Sequence, residues 1–262
     1  MTVLVDAAIM RQELKGSHGE MTYAGVTSFM RRNYTKDLLG VDIAISGIAC
    51  DLAVTYRSGA RLGPRAIREA SVQLAELLPY PWGFDPFVEL AVVDYGDCGL
   101  DPHNPLTMRA AIQAHIATII QAGVFPLTLG GDHYITYPIL LALAEKFGKG
   151  LALIHFDAHC DTWPDTDEYS LNHGTMFYKA IKNGIIDPEK MVQIGIRTWN
   201  DDFMGTNIMD AQYVHDHGWQ QVVAQIKQIV GTTPVYLSFD IDALDPAFAP
   251  GTGTPVAGCR WA

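Results

Sequence analysis

Three short segments rich in aspartate and histidine each follow an apolar run typical of a buried strand. They span residues 130–133, 157–161 and 238–242. In parallel sheets, the carboxyl ends of the strands meet at one edge, and ligands bind in the crevice outside that edge. Because the three segments end three different strands, we expect their side chains to gather in one site.

Strand alternation sets which of these side chains can act together, since residues i and i+2 point to the same face. Asp157 and His159 can therefore present two ligands to one pocket, and so can Asp240 and Asp242. On a straight strand Asp161 would lie about 13 Å from Asp157, at a rise of about 3.3 Å per residue. We therefore predict that the chain turns just after His159.

The polar side chains of the three segments form a set suited to metal ions. Two imidazoles and four carboxylates favour manganese over structural zinc, which prefers thiolates in a closed tetrahedron. Two ions about 3.5–4 Å apart would share a water and lower its pKa towards neutrality. Without a cation, so many gathered carboxylates would cost several kcal/mol in repulsion and desolvation. The predicted ligands are His133, Asp157, His159, Asp161, Asp240 and Asp242.

The alternative is that these residues only form turns and helix caps, which favour aspartate and glycine for backbone reasons. We prefer that structural role for Asp132 and for Asp245, which precedes Pro246. His155 faces the same way as Asp157, one step deeper in the strand. We interpret it as a buried, hydrogen-bonded neighbour and not as a ligand.

A further histidine, His173, follows Asp161 after a short loop and opens a helical stretch. Histidine titrates near neutrality, so His173 is the candidate proton carrier, although an ordinary loop residue is the alternative. His215 and His217 flank an aspartate in a predicted loop, where solvated side chains are the ordinary explanation. The other histidines are interpreted as surface or core side chains: His18, His103 and His115.

From residue 42 onward, apolar runs alternate with helical stretches, which indicates βαβ units and an α/β fold with a mainly parallel sheet. Strands are predicted over residues 42–48, 89–94, 124–129, 151–157, 191–196 and 235–240. Residues 1–40 are predicted to form an N-terminal arm, and residues 41–262 the catalytic domain. Helical periodicity predicts three buried faces, at Ile67, Leu74 and Leu78, at Ile112, Ile116, Ile119 and Ile120, and at Trp219, Val222, Val223, Ile226 and Ile229.

Bulk composition narrows the class of partner. The net charge of -11 disfavours nucleic acid and anionic membrane as partners and suits a small cationic substrate. The four cysteines form no C-x-x-C pair, which indicates a reducing compartment. With no membrane-spanning apolar run and no convincing signal peptide, a cytoplasmic location is predicted.

The motifs G-G-D-H, D-A-H-x-D and S-F-D-x-D-x-x-D-P, in this order, resemble those of the ureohydrolase family of arginases and agmatinases. Residues 57–68 resemble its N-terminal signature, and the resemblance covers residues 41–256. It implies a three-layer αβα fold with two Mn(II) ions on the six predicted ligands, bridged by Asp157 and Asp240. It also implies hydrolysis of a guanidinium group to urea and an amine, proton delivery by His173, and a homo-oligomer, either a trimer or a hexamer.

The segments 173–178, 192–198 and 248–255 resemble bacterial agmatinases most, which implies hydrolysis of agmatine to putrescine and urea in polyamine biosynthesis. Arginases hold a substrate carboxylate with a Ser and an Asn four and two residues before the histidine equivalent to His173. Tyr169 and Leu171 stand at these positions here, which argues against arginine. Guanidinobutyrate and related guanidino acids stay open, because the specificity loop of residues 163–170 cannot be interpreted from the sequence.

The resemblance also concerns the C-terminus. In this family a helix, a strand with a guanidinium-binding glutamate and a closing helix follow the segment that ends near Pro255. We therefore expect an incomplete domain that is marginally folded and weakly active. The rival hypothesis is a non-catalytic chain that keeps the metal cluster and is either a defective product or a partner subunit in a mixed oligomer.

Overall fold

The computed structural model describes residues 6–16, 21–75 and 78–258. The backbone divides into two compact units, of which the first comprises residues 1–50 and 61–131 and the second comprises residues 51–60 and 132–262. His18 and Cys259 lie outside the described residues. The predicted arm and catalytic domain stay predictions.

The first unit contains a four-stranded parallel sheet. Its strands are β1 (Asn33–Tyr34), β2 (Ile43–Ile48), β3 (Val92–Asp97) and β4 (Phe125–Gly130). They pair in the order β1-β3-β2-β4. The helices of this unit are α1 (Ala7–Met10), α2 (Gly63–Ser71), α3 (Pro86–Glu89) and α4 (Met108–Gln121).

The second unit contains another four-stranded parallel sheet. Its strands are β5 (Leu151–Phe156), β6 (Ile186–Ile194), β7 (Asn207–Met209) and β8 (Val235–Phe239), in the order β7-β6-β5-β8. Its helices are α5 (Thr136–Phe147), α6 (Met176–Lys182) and α7 (Ala211–Val230). No helix in the described part of the chain is both long and apolar enough to cross a bilayer.

All six predicted strands are present, and every strand pairing is parallel, which confirms the predicted α/β class. The least accurate bound is the start of the strand predicted at residues 191–196, which begins at Ile186. The start of the strand predicted at residues 89–94 also differs. This strand starts later, at Val92, because Pro86–Glu89 forms α3 with a proline in its first turn. The carboxylate of Asp85 accepts a hydrogen bond from the backbone N–H of Phe87 and caps that helix.

The predicted core face of α4 is confirmed, because its four isoleucines are buried. The predicted face around α2 is wrong, since Ile67, Leu74 and Leu78 are exposed. The guanidinium of Arg68 is buried in their place, with Nε 2.8 Å from Asp94 and Nη1 2.7 Å from Asp97. The charged guanidinium can be buried on the inward face of the helix because two carboxylates of β3 balance its charge.

Helix α7 follows its predicted face only in part. Val222 and Ile226 are buried as predicted, but Trp219 and Val223 are exposed. The helix is interrupted at Gly218, where a φ of 74° lies in the left-handed region that glycine adopts freely, and the residues after it start a new helical phase.

The predicted loop at His215 and His217 is also wrong. Both residues lie within the first turns of α7 and are exposed. The carboxylate of Asp210 accepts a hydrogen bond from the backbone N–H of Tyr213, which starts the helix just before them. The interpretation of both histidines as solvated side chains is unchanged.

Candidate active site

The second unit positions the site through two neighbouring strands. Strands β5 and β8 pair in parallel, with Phe156 opposite Phe239, so Asp157 and Asp240 leave the sheet side by side. The backbone N–H of Asp240 donates to the carbonyl of Phe156 over 2.9 Å. The predicted convergence of these two segments at one sheet edge is therefore present.

The imidazole of His133 lies among three carboxylates. Its Nδ1 atom is 3.0 Å from Oδ2 of Asp157, 3.1 Å from Oδ2 of Asp161 and 3.2 Å from Oδ2 of Asp240. Its other nitrogen, Nε2, is 2.6 Å from Oγ of Ser238. Ser238 belongs to the third motif, and its hydroxyl fixes the orientation of the ring.

The imidazole of His159 forms a second cluster. Its Nδ1 atom lies 3.2 Å from Oδ1 of Asp157 and 3.1 Å from Oδ2 of Asp242. One carboxylate oxygen of Asp157 thus faces His133 and the other faces His159. All six predicted ligands lie in these two clusters, and Asp157 belongs to both.

The predicted turn after His159 is present at Asp161. This residue has a φ of 53°, in the left-handed region that residues other than glycine seldom adopt. The turn brings its carboxylate back to within hydrogen-bond distance of His133. A strained backbone angle at a side chain that converges on other acids is typical of a functional site.

Two groups of side chains have donor atoms within 4.8 Å of one another, close enough to hold a metal ion. The first consists of His133, His155, Asp157 and Asp161, and the second of Asp157, His159 and Asp242. His155 contacts Asp157 through Nε2 and Oδ2 at 2.9 Å. Among the described residues, Asp240 belongs to neither group, and its bridging role stays a prediction.

Burial and mutual repulsion act strongly on the carboxylates. Burial raises the pKa of Asp161 to about 7, and the charge of Asp157 adds to the shift. Burial likewise raises the pKa of Asp242 to about 7, against the hydrogen bond from His159. The pKa of Asp157 is lowered well below its usual value, because the three surrounding imidazoles outweigh its burial. Asp157 is therefore the anion around which the site is organised.

For the two imidazoles, the neighbouring carboxylates outweigh the effect of burial on the pKa. Burial lowers the pKa of His133, but hydrogen bonds to Asp157, Asp161 and Asp240 overcome this effect and raise it well above its usual value. The same balance raises the pKa of His159 to about 10. The cluster thus demands positive charge, which protonated imidazoles supply when no cation is bound.

The donor set fits a divalent metal. Nδ1 of His133 is buried and faces three carboxylate oxygens, at 3.0, 3.1 and 3.2 Å. After loss of its proton, this nitrogen would offer a lone pair among anionic oxygens, an arrangement that a cation such as Mn(II) would stabilise. The oxygen-rich composition favours manganese over a structural zinc site.

A cavity of about 270 Å³ opens beside the second cluster. Metal-ligand candidates and the candidate proton carrier share its wall. The lining residues are Thr55, His159, Asp161, Trp163, Asn172, His173, Gly174, Thr175 and Thr254. A substrate in this cavity would touch both the acid cluster and His173.

His173 is held at the cavity by Thr55, whose Oγ1 lies 3.0 Å from its Nε2. Burial lowers the pKa of His173, while Asp132 and Asp240 oppose the shift. The ring is therefore neutral at neutral pH and able to accept a proton. Thr55 was not predicted as a site residue, because no motif connects it with His173, 118 residues later.

The loop that forms one cavity wall is fixed by a buried ion pair. Nζ of Lys179, on α6, lies 3.1 Å from Oδ2 of Asp165. The same carboxylate accepts hydrogen bonds from Ser170 and Thr175. Burial alone would raise the pKa of Asp165, but these partners lower it to about 2. The ionised carboxylate of Asp165 therefore stabilises the conformation of the loop.

Trp163 begins this loop and lies against the backbone beside His173. The backbone N–H of Trp163 donates to the carbonyl of Gly174 over 3.2 Å. A Cβ atom on Gly174 would lie 3.2 Å from Cε3 of the indole. The absence of a side chain at Gly174 lets the indole approach the segment that contains His173 closely.

The two aspartates interpreted as structural, Asp132 and Asp245, both accept hydrogen bonds from backbone N–H groups. Asp132 accepts hydrogen bonds from the backbone N–H groups of Ala53 at 2.9 Å and Tyr134 at 3.2 Å. Asp245 accepts from the backbone N–H groups of Ala247 and Gly258, each at 2.9 Å. These contacts fix the loops around the site.

Comparison with known proteins gives a consistent result. The family model described as Arginase family matches residues 41–259. An agmatinase from Chromobacterium violaceum is 68% identical over 253 residues, which is 97% of this chain and 79% of that protein.

Solved structures match equally well. A hypothetical agmatinase from Burkholderia thailandensis superposes with a TM-score of 0.96 and 65% identity, over 98% of this chain and 82% of that one. The proclavaminate amidino hydrolase from Streptomyces clavuligerus gives 0.86 and 37%, over 92% and 82%. The predicted fold and the predicted resemblance are confirmed.

Proposed function

The chain belongs to the arginase family and is an enzyme that acts on a guanidino C–N bond, and from this premise we propose that it hydrolyses agmatine to putrescine and urea with two Mn(II) ions. The observation that carries the proposal is the shared carboxylate of Asp157, which faces His133 with one oxygen and His159 with the other. A cavity with a neutral histidine adjoins it. This arrangement supports a paired metal centre that opens onto a substrate pocket.

The proposed division of the ligands follows the two clusters. His133 and Asp161 would hold one ion and His159 and Asp242 the other, while Asp157 and Asp240 would contribute to both. When bound, the ions would supply Lewis-acid polarisation and lower the pKa of water at the site. The protein contributes the orientation of the carboxylates and the burial that strengthens their charges.

His173 moves the proton in this proposal. Its ring is neutral before reaction, so it can take up the proton that the attacking water loses and deliver it to the nitrogen of the departing amine. Thr55 keeps Nε2 directed at the cavity. Protonation of the leaving nitrogen is needed because an amine leaves far more readily than its anion.

The lining of the cavity supports agmatine as the substrate. Among the residues that the structure describes, its lining contains no lysine or arginine, so these residues offer no cation for a substrate carboxylate. Trp163 presents an aromatic ring that suits an aliphatic chain or a cation. The net charge of -11 favours a dicationic substrate over an amino acid. We further propose a cytoplasmic homo-oligomer, either a trimer or a hexamer, in polyamine biosynthesis.

A urea-release assay tests this proposal. The purified protein, stripped of metal with a chelator and then reloaded with Mn(II), is given agmatine, arginine or 4-guanidinobutyrate. We expect Mn-dependent release of urea, with the highest kcat/KM on agmatine. Activity on arginine alone, or the same activity in stripped protein, would overturn it.

A further inference from the structure

We infer that His155 is a positioning residue whose Nε2–H group fixes the carboxylate of Asp157 between the two metal-binding clusters. This inference rests on the proposed metal centre and assigns a role to a side chain outside the predicted ligand set. His155 lies on β5, two residues before Asp157, so both side chains point to the same face of the strand.

The contact between the two residues is close and fully desolvated. Nε2 of His155 lies 2.9 Å from Oδ2 of Asp157, and the two residues are 0% and 1% exposed. A hydrogen bond to a charged carboxylate is stronger than one between neutral groups, and burial strengthens it further. Water does not compete for either partner at this depth.

The chemistry of the two groups determines which of them donates the hydrogen bond. An ionised carboxylate can only accept hydrogen bonds, so the proton belongs to Nε2 of His155. Nδ1 of the same ring is buried and makes no hydrogen bond within the part of the chain that the structure describes. The Nε2–H tautomer satisfies the carboxylate with the single proton of a neutral ring.

The packing around the ring prevents it from turning away. The Phe177 ring lies edge-on, with its centroid 4.6 Å from that of His155, and the His133 ring lies 5.2 Å away. β5 is an inner strand of its sheet, and Gln193 and Ser238 are the register partners of His155 on its two sides. The donor is therefore held in one direction.

The same geometry argues against His155 as a direct ligand, although its Nε2 lies within reach of the first cluster. That nitrogen would have to lose the proton that it donates to Asp157. A carboxylate has about four lone-pair sites, so Oδ2 can accept from His155 and still offer a lone pair to a cation. Carboxylates that ligate metals are held by such hydrogen bonds, and their loss weakens metal binding.

Two substitutions at this position separate positioning from packing. His155→Gln keeps an N–H donor at about the position of Nε2. His155→Leu removes the donor and fills the space with an apolar side chain. His115→Leu is the control, because His115 is a half-buried ring whose Nε2 has no hydrogen-bond partner among the described residues. Each variant is stripped of metal, and Mn(II) binding is measured by equilibrium dialysis with elemental analysis.

We expect His155→Leu to lose about 10- to 100-fold in Mn(II) affinity, the effect of removing a partner of a metal ligand. His155→Gln should stay within a few-fold of the unmodified chain, and His115→Leu should match it. At saturating Mn(II), His155→Leu should lower kcat on agmatine more than it changes KM, because the cavity itself is unaltered.

Equal Mn(II) affinity in the unmodified chain and His155→Leu would overturn the inference, and so would a His155→Gln variant as weak as His155→Leu. Thermal melting of the stripped proteins checks folding. If His155→Leu does not fold, His155→Asn replaces it, since its shorter amide cannot reach Asp157. A chain that binds no Mn(II) before any substitution contradicts the proposed function itself, whereas the preference among substrates leaves the inference unaffected.

Discussion

Nδ1 of His133 lies 3.0 Å from Oδ2 of Asp157, although the two residues come from different segments, 24 positions apart in the sequence. The imidazole lies before α5 and the aspartate follows β5. Their side chains are 7% and 1% exposed, so each polar group interacts with the other in place of water. The arrangement is stable only with positive charge present, supplied by a proton or by a metal ion. The predictions below follow from this requirement and from the cavity beside it.

Removal of the proton carrier should abolish most turnover without loss of metal. His173 lies at the cavity but outside both clusters of metal-ligand candidates. We expect His173→Asn to lower kcat for agmatine by about 100- to 10,000-fold, the usual contribution of general acid–base catalysis. Its bound Mn(II) should be unchanged. The exposed His103 provides a control, His103→Asn, and a His173→Asn variant with nearly full kcat would refute the assignment.

Loss of the hydroxyl that holds this histidine should have a smaller effect. Thr55→Val keeps the shape of the side chain and removes the contact at 3.0 Å with Nε2 of His173. We expect kcat to fall about 2- to 10-fold, equivalent to one hydrogen bond of about 0.5–1.5 kcal/mol. Steady-state kinetics against Thr55→Ser, which keeps the hydroxyl, measures this. Equal losses in both variants would mean that the hydroxyl is not responsible.

The ion pair beneath the cavity loop should control both stability and substrate affinity. Lys179 is 4% exposed, and its removal in Lys179→Met leaves the Asp165 carboxylate without its cation. We expect the free energy of unfolding to fall by about 3 kcal/mol. The KM for agmatine should rise, because the loop carries Trp163. Denaturant unfolding and steady-state kinetics measure the two effects. Lys182→Met, on the same helix, is the control, and a stability equal to that of the control would contradict the role of the pair.

Stabilisation by Mn(II) should increase with pH. In the metal-free protein the pKa values of Asp161 and Asp242 are raised to about 7, above the ordinary aspartate value of 3.8. The folded state therefore binds more protons than the unfolded state between about pH 4 and 7, so the metal-free protein loses stability as pH rises through that range. Metal binding needs both carboxylates ionised, so its affinity gains over the same range.

The raised pKa values of His133 and His159 act in the same direction, because stability that depends on their protons is lost above pH 6.5. The measurement is Tm with excess chelator and with excess Mn(II), from pH 5.5 to 8.5. We expect the difference between the two Tm values to widen with pH. A constant difference would contradict the proton-linked site.

Local sequence pattern was sufficient to predict that these acidic and imidazole side chains converge. Strand ends, i and i+2 alternation and motif order predicted the convergence of His133, Asp157 and Asp240, and the distance between Asp157 and Asp161 required the turn that is present. These features depend on short segments and on the parallel sheet that joins them. The resemblance to a known family added the expected chemistry.

The features that were not predicted depend on contacts far apart in sequence. Periodicity placed Ile67 inward, but Arg68 is buried because Asp94, 26 residues later, neutralises it. Trp219 was predicted to face the core but is exposed, directly after the interruption of the helix at Gly218. The link between Thr55 and His173 has no local signal at all. Such contacts become visible only when the chain is folded.

The most direct measurement is the number of Mn(II) ions bound per chain, determined by elemental analysis after reconstitution, in the unmodified chain and in Asp157→Asn. The amide keeps the shape of the side chain but lacks the charge that both clusters share. Asp216→Asn, an exposed substitution on α7, is the control. We predict two ions in the unmodified chain and in the control. Asp157→Asn should lose both ions and should no longer release urea from agmatine. Full metal occupancy in Asp157→Asn, or no bound Mn(II) in the unmodified chain, would contradict the shared carboxylate as the centre of the site.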